Sequence, residues 1–111
     1  MKKSFSPMLY RRAPLNGLIL FGILSFAKKK HKATFEKIIK ECFSLFPDVF
    51  CFSQYAQWPD ALKLDRPLRD LRKKKLINGD PQAHFVLTKT GRRLAEEVAK
   101  SLVQRELFKL K

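Results

Sequence analysis

Six cations fall within twelve residues between Lys63 and Lys74: Lys63, Arg66, Arg69, Arg72, Lys73 and Lys74. Guanidinium and ammonium groups at this density suit one chemistry above others, the capture of phosphate oxygens, with arginine also able to donate two parallel bonds to O6 and N7 of a guanine. At about 100° per residue, Leu64, Leu68, Leu71 and Lys75 share one helical face, with Lys75 at its edge where its stem can snorkel. Arg66, Arg69, Asp70 and Lys73 lie opposite. Arg69 is the leading candidate for reading a base edge and Arg66 the second. Arg72, Lys73 and Lys74 suit phosphate contacts, which position without specifying, and Lys63 extends the same basic surface. Asp70 is placed to orient Arg66, Lys73 or Lys74 along the helix.

No catalytic constellation accompanies these cations. His31 and His84 are far apart, and Cys42 and Cys51 have no companions at a metal-ligand spacing. The aspartates form no evident pair, and no phosphate-cradling glycine loop exists. The expectation is a protein that is not an enzyme and takes no cofactor or metal. Two cysteines are too few for a disulfide framework, and a reduced core Cys42 fits a cytoplasmic location.

The charge is uneven along the chain. Its 111 residues carry a net +14, an excess that points to a polyanionic partner or an anionic surface. Residues 1–32 hold eight Lys/Arg and no acids, residues 33–62 two against four, and residues 63–93 ten against three. An acidic stretch is thus flanked by two basic ones. With 45% hydrophobic residues and ten Phe, the chain has enough apolar material for one core.

Stepping along the elements, residues 1–14 read as a basic arm. Leu15 to Ala27 is the most apolar run; thirteen residues fall short of the roughly 20 needed to span a bilayer, and the flanking lysines favour a buried first helix over a signal segment, with no membrane partner. Thr34 is a candidate N-cap for a second helix burying Phe35, Ile38, Ile39, Cys42, Phe43 and Phe46, with Glu36, Lys37, Lys40 and Glu41 outward and Pro47 as its end. Val49 to Phe52 is a candidate short strand, and Tyr55 and Trp58 are expected to pack on the body. Pro67 leaves two options for the basic helix. It begins near Asp65 with Asp65 as cap, or it runs from Asp60 through Pro67 with a bend or a tight first turn; the second is favoured. Leu76-Ile77 leads a hairpin with turn residues Asn78-Gly79-Asp80-Pro81 and return strand Phe85-Val86-Leu87. Thr88 caps a last helix whose Leu94, Val98 and Leu102 repeat every four residues, widened by Ala95, Val103, Leu107, Phe108 and Leu110. This helix either makes a homodimer contact through residues 101–111 or folds back on the first helix.

The run Leu68-Arg69-Asp70-Leu71-Arg72-Lys73-Lys74-Lys75-Leu76-Ile77, then Phe85-Val86-Leu87-Thr88, Gly91 and Ala95, resembles winged helix-turn-helix domains of MarR- and PadR-type regulators over residues 15–100. Lys75 departs from the pattern where a glycine often closes the helix, as does Pro67 inside it. The resemblance implies a mainly α fold with a small β-hairpin wing (α+β) and an extended C-terminal helix. It also implies a recognition helix over residues 62–75 and a wing tip over residues 78–84. Carried over by position, Arg66, Arg69 and Lys73 would face a major groove, and Asn78, Gln82 and His84 would lie on the wing near phosphates or the minor groove. The expected function is sequence-specific binding of double-stranded DNA by a transcriptional regulator. The alternatives are a protein-interaction module in a larger assembly and an RNA- or ribosome-associated protein.

Overall fold

The computed structural model describes Tyr10 and residues 13–28, 32–79 and 84–109, excepting the side chains of residue 28 and residues 103–109. In chain order the elements are α1 (Leu15–Lys28), α2 (Phe35–Leu45), α3 (Leu62–Lys73), β1 (Ile77–Gly79), β2 (Phe85–Leu87) and α4 (Lys89–Lys109). This is a mainly α protein with one small antiparallel hairpin set before its last helix. No helix of the described residues is long and apolar enough to cross a membrane.

The apolar run of α1 becomes the central helix. Leu18, Ile19, Leu20, Ile23, Leu24 and Phe26 are all buried, and α2, α3 and α4 all pack against this helix. Its largest contact is with α4. Leu102 is buried and Leu94 and Val98 pack against the core, so the described part of the last helix folds back on the first. The side chains of Val103, Leu107 and Phe108, and all of Leu110, lie outside the described residues.

α2 starts where expected. Thr34 is extended, and its hydroxyl accepts from the Lys37 N–H at 3.3 Å, satisfying one of the amides a helix start leaves open. Its outward face needs a correction: Glu41 is buried, and the Ser25 hydroxyl of α1 donates to its carboxylate at 2.5 Å. The wheel of α2 alone places Glu41 at the edge of the polar side; the neighbouring helix covers that edge and supplies the hydrogen bond a buried carboxylate requires. Beyond α2, Phe46 meets Tyr10 and Phe21 edge to face, centroids 5.0 and 5.9 Å apart, with Phe50 at 6.4 Å. Tyr10, read from sequence as part of a basic arm, is fully buried in this cluster, and its hydroxyl accepts from the Asp48 N–H.

The hairpin pairs Ile77 with Leu87, Asn78 with Val86 and Gly79 with Phe85. Asn78 and Gly79 therefore belong to the strand rather than the turn. Burial of Ile77 and Phe85 on one face sets this register. Phe85 also donates its N–H to the Ala33 carbonyl at 2.9 Å, which ties the hairpin to the segment ahead of α2. Residues 80–83, including Gln82, lie outside the described residues, as does His31.

Candidate nucleic-acid interface

α3 is amphipathic. Leu64, Leu68 and Leu71 are fully or almost fully buried, while Arg66, Arg69, Arg72 and Lys73 are exposed. The helix runs continuously through Pro67, so Asp65 is not its cap. Its first turn is tight: Lys63 N–H bonds to the Asp60 carbonyl and Leu64 N–H to that of Ala61, both three residues back. The Asp60 carboxylate accepts from the Leu62 N–H at 3.1 Å, capping the start. Pro67, itself half-buried, removes one amide from the ladder.

The far end of α3 stops earlier than the sequence suggests. Lys75 is not part of the leucine face; it stands at φ 58°, in the left-handed region. Its N–H bonds to the Arg72 carbonyl and the Leu76 N–H to that of Leu71, each at 3.0 Å. These two bonds form a Schellman closure, in which glycine usually takes the position held here by Lys75. The reversal sends the chain directly into β1. Thr88 then fastens the junction: its N–H donates to the Leu76 carbonyl, and its hydroxyl lies 2.8 Å from the Lys75 carbonyl and 3.1 Å from that of Leu76. The same hydroxyl accepts from the Gly91 N–H at 3.1 Å, starting α4. Gly91 sits so close that a Cβ there would lie 1.9 Å from the Leu76 carbonyl oxygen. The Leu-Thr-x-x-Gly pattern is thus the clasp that fixes α3, hairpin and α4 relative to each other.

On the outer face of α3, Arg66, Arg69, Asp70, Lys73 and Asn16 of α1 line an open cleft of about 630 Å³. Arg69 forms an ion pair with Asp65 at 2.7 Å, and Lys74 one with Asp70 at 3.1 Å. Asn16 donates to the same Asp70 oxygen at 2.9 Å. The bonds from Lys74 and Asn16 hold the Asp70 carboxyl below its ordinary range. Of the expected partners for Asp70, Lys74 is the one realised. Lys63 turns away from this face and donates to the Cys51 carbonyl at 2.7 Å. Arg66, Arg72 and Lys73 have no carboxylate partner among the described residues. Asn78 is exposed on the hairpin beside Val86, and His84 is half-buried just before β2.

Two features are not legible in the sequence. Asn16 was hidden in an apolar run, although a lone amide there signals a polar partner. Tyr55 and Trp58 do not pack on the body: they are 52% and 54% exposed and stack on each other. The segment ahead of them also forms no strand, only a turn from Phe46 to Phe50 and a single bridge between Cys51 and Pro59. Elsewhere, Cys42 is a buried free thiol as expected, and among the described residues no group of three His, Cys, Asp or Glu could hold a metal.

No protein-family model matches the chain, and neither does any curated protein or solved structure.

Proposed function

We propose that this chain is a winged-helix domain of the MarR/PadR kind that binds double-stranded DNA as a transcriptional regulator, with α3 as recognition helix and the β1–β2 hairpin as wing. One observation carries the reading. Three leucines anchor α3 in the core, so that Arg66, Arg69 and Lys73 stand together on its solvent side and border one cleft. A helix presented in this way fits the width of a major groove. Support also comes from the hairpin following α3 at once and bridging back to Ala33 ahead of α2. The net charge of +14 supplies long-range attraction to a polyanion.

Arg69 reads a base in this proposal by exchanging its bond to Asp65 for one to a guanine edge. The exchange is cheap, since an exposed ion pair is worth about 0.2–1 kcal/mol. Arg66 and Lys73, without carboxylate partners among the described residues, dock first, Arg72 and Lys74 follow the phosphates, and Asn78 sits on the wing. Selection of bound duplexes from a random pool tests the proposal. It predicts an enriched site containing guanine, on which Arg69→Ala costs about 1–3 kcal/mol while binding to unrelated duplexes changes little. A pool that returns no enriched sequence would contradict the sequence-specific part.

A further inference from the structure

The loop between α2 and α3 is built to hold two aromatic rings in water. Its neck is closed by main-chain bonds from the Phe52 N–H to the Trp58 carbonyl at 3.0 Å and from the Asp60 N–H to the Phe50 carbonyl at 2.8 Å. Within it the Trp58 N–H bonds to the Tyr55 carbonyl at 3.0 Å. On this frame Tyr55 and Trp58 stack, centroids 5.2 Å apart and planes 23° apart. Each ring spends one face on the other and remains more than half exposed. Large apolar side chains fixed in solvent mark a contact surface.

The position of the loop identifies the contact. Leu62, 80% exposed, follows the loop directly. It begins a stripe that continues through Arg66, Arg69 and Lys73 at steps of four, three and four, one face of α3. The aromatic pair therefore lies on the loop that leads into the N-terminal end of the cation-bearing helix. A second copy of a chain carrying +14 is repelled there, whereas a polyanion is drawn in. From Ser53 to Trp58 the loop has no charge, and the exposed Gln54 and Gln57 immediately precede Tyr55 and Trp58 in sequence. Flat aromatic faces with amides next to them suit a nucleobase: the ring stacks, and the amide bonds to the base edge. Bases inside a duplex already have both faces covered, so the ligand must offer an unpaired one.

We propose that Tyr55 and Trp58 form a stacking platform for an unpaired base. The preferred ligand of the α3 face is then a duplex carrying single-stranded bases at its end, not a blunt one. This rests on the nucleic-acid reading of α3. Trp58 is the single tryptophan of the chain, so its fluorescence reports on the platform alone. The full chain is titrated with a blunt duplex and with the same duplex bearing a short oligo-dT overhang, following both Trp58 emission and affinity. The overhang duplex is expected to quench Trp58 and to bind about tenfold tighter, in line with one stacked base; the blunt duplex should leave emission unchanged. The double variant Tyr55→Ala, Trp58→Ala should lose the preference and keep its affinity for the blunt duplex, and Trp58→Phe should retain most of the preference. Equal binding of both duplexes without quenching overturns the platform but leaves the α3 reading standing. No binding of either duplex at low salt overturns both. A Trp58 blue shift on anionic phospholipid vesicles, without response to the overhang, also overturns the platform and assigns the loop to a lipid surface. The quenching result comes from the unaltered chain and does not depend on any variant folding.

Discussion

Replacing Lys75 by glycine should make this protein more stable. Lys75 closes α3 at φ 58°, where an L-residue suffers a clash between its Cβ and the following carbonyl that costs about 1–2 kcal/mol. Glycine removes that clash and keeps both closing bonds, to Arg72 and from Leu76 to Leu71, since these are made by the main chain. Against this, glycine adds freedom to the unfolded chain worth about 0.4–1 kcal/mol. The net gain is about 0.5–1 kcal/mol, which raises Tm by a few degrees in a domain of this size. Urea and thermal melts of the parent, Lys75→Gly and Lys75→Ala provide the assay. Alanine removes the same charge but keeps the Cβ, so Lys75→Ala should gain little. Equal stabilisation by both variants would refute the conformational argument and assign the effect to relief of charge repulsion. Destabilisation by Lys75→Gly would mean that the lysine side chain itself supports the turn.

Three further outcomes follow from the packing. Gly91→Ala should destabilise by about 2 kcal/mol or more, because its Cβ would press on the Leu76 main-chain oxygen; a melt within experimental error of the parent would show that the α4 start can shift freely. Burial, and secondarily the neighbouring Glu41, pushes the Cys42 thiol far above its ordinary range, whereas Cys51 is only half-buried. Native labelling with a maleimide should therefore stop at Cys51 and reach Cys42 only on denaturation, and fast double labelling of the native chain would count against the core. Asp70, held below its ordinary range by Lys74 and Asn16, stabilises the fold above the usual carboxylate pKa of about 3.9. That contribution is lost as pH falls through the lower folded value. Asp70→Asn should flatten the acid limb of the stability profile below about pH 4, and an unchanged limb would show that these bonds are not made in solution.

Much of this architecture was readable because local rules and tertiary packing agree. The four-three spacing of Leu64, Leu68 and Leu71 predicts the buried stripe of α3, and Thr34 and Thr88 start their helices by the expected side-chain bonds. The cations fall outward as a consequence of that stripe. What escaped prediction depends on neighbours distant in sequence. Glu41 looks solvated until α1 brings Ser25 beside it. Asn78 and Gly79 look like turn residues until the burial of Phe85 draws them into the ladder. Tyr55 and Trp58 have the composition of core residues, yet they lie exposed on a loop whose neck is closed by main-chain bonds. Within the candidate site, the ion pair of Arg69 with Asp65 is a simple four-residue spacing that the sequence contained, and the turn of Lys63 toward Cys51 is not.

Binding of a duplex as a function of salt tests the central assignment most directly. If α3 docks with Arg72, Lys73 and Lys74 on phosphates, log K must fall linearly with log salt concentration at a slope of about −3 or steeper, near −0.9 for each phosphate neutralised. The charge-reversing pair Arg66→Glu, Lys73→Glu should then abolish binding without lowering Tm, because both side chains are exposed. A flat salt dependence, or full binding by that variant, would contradict the account.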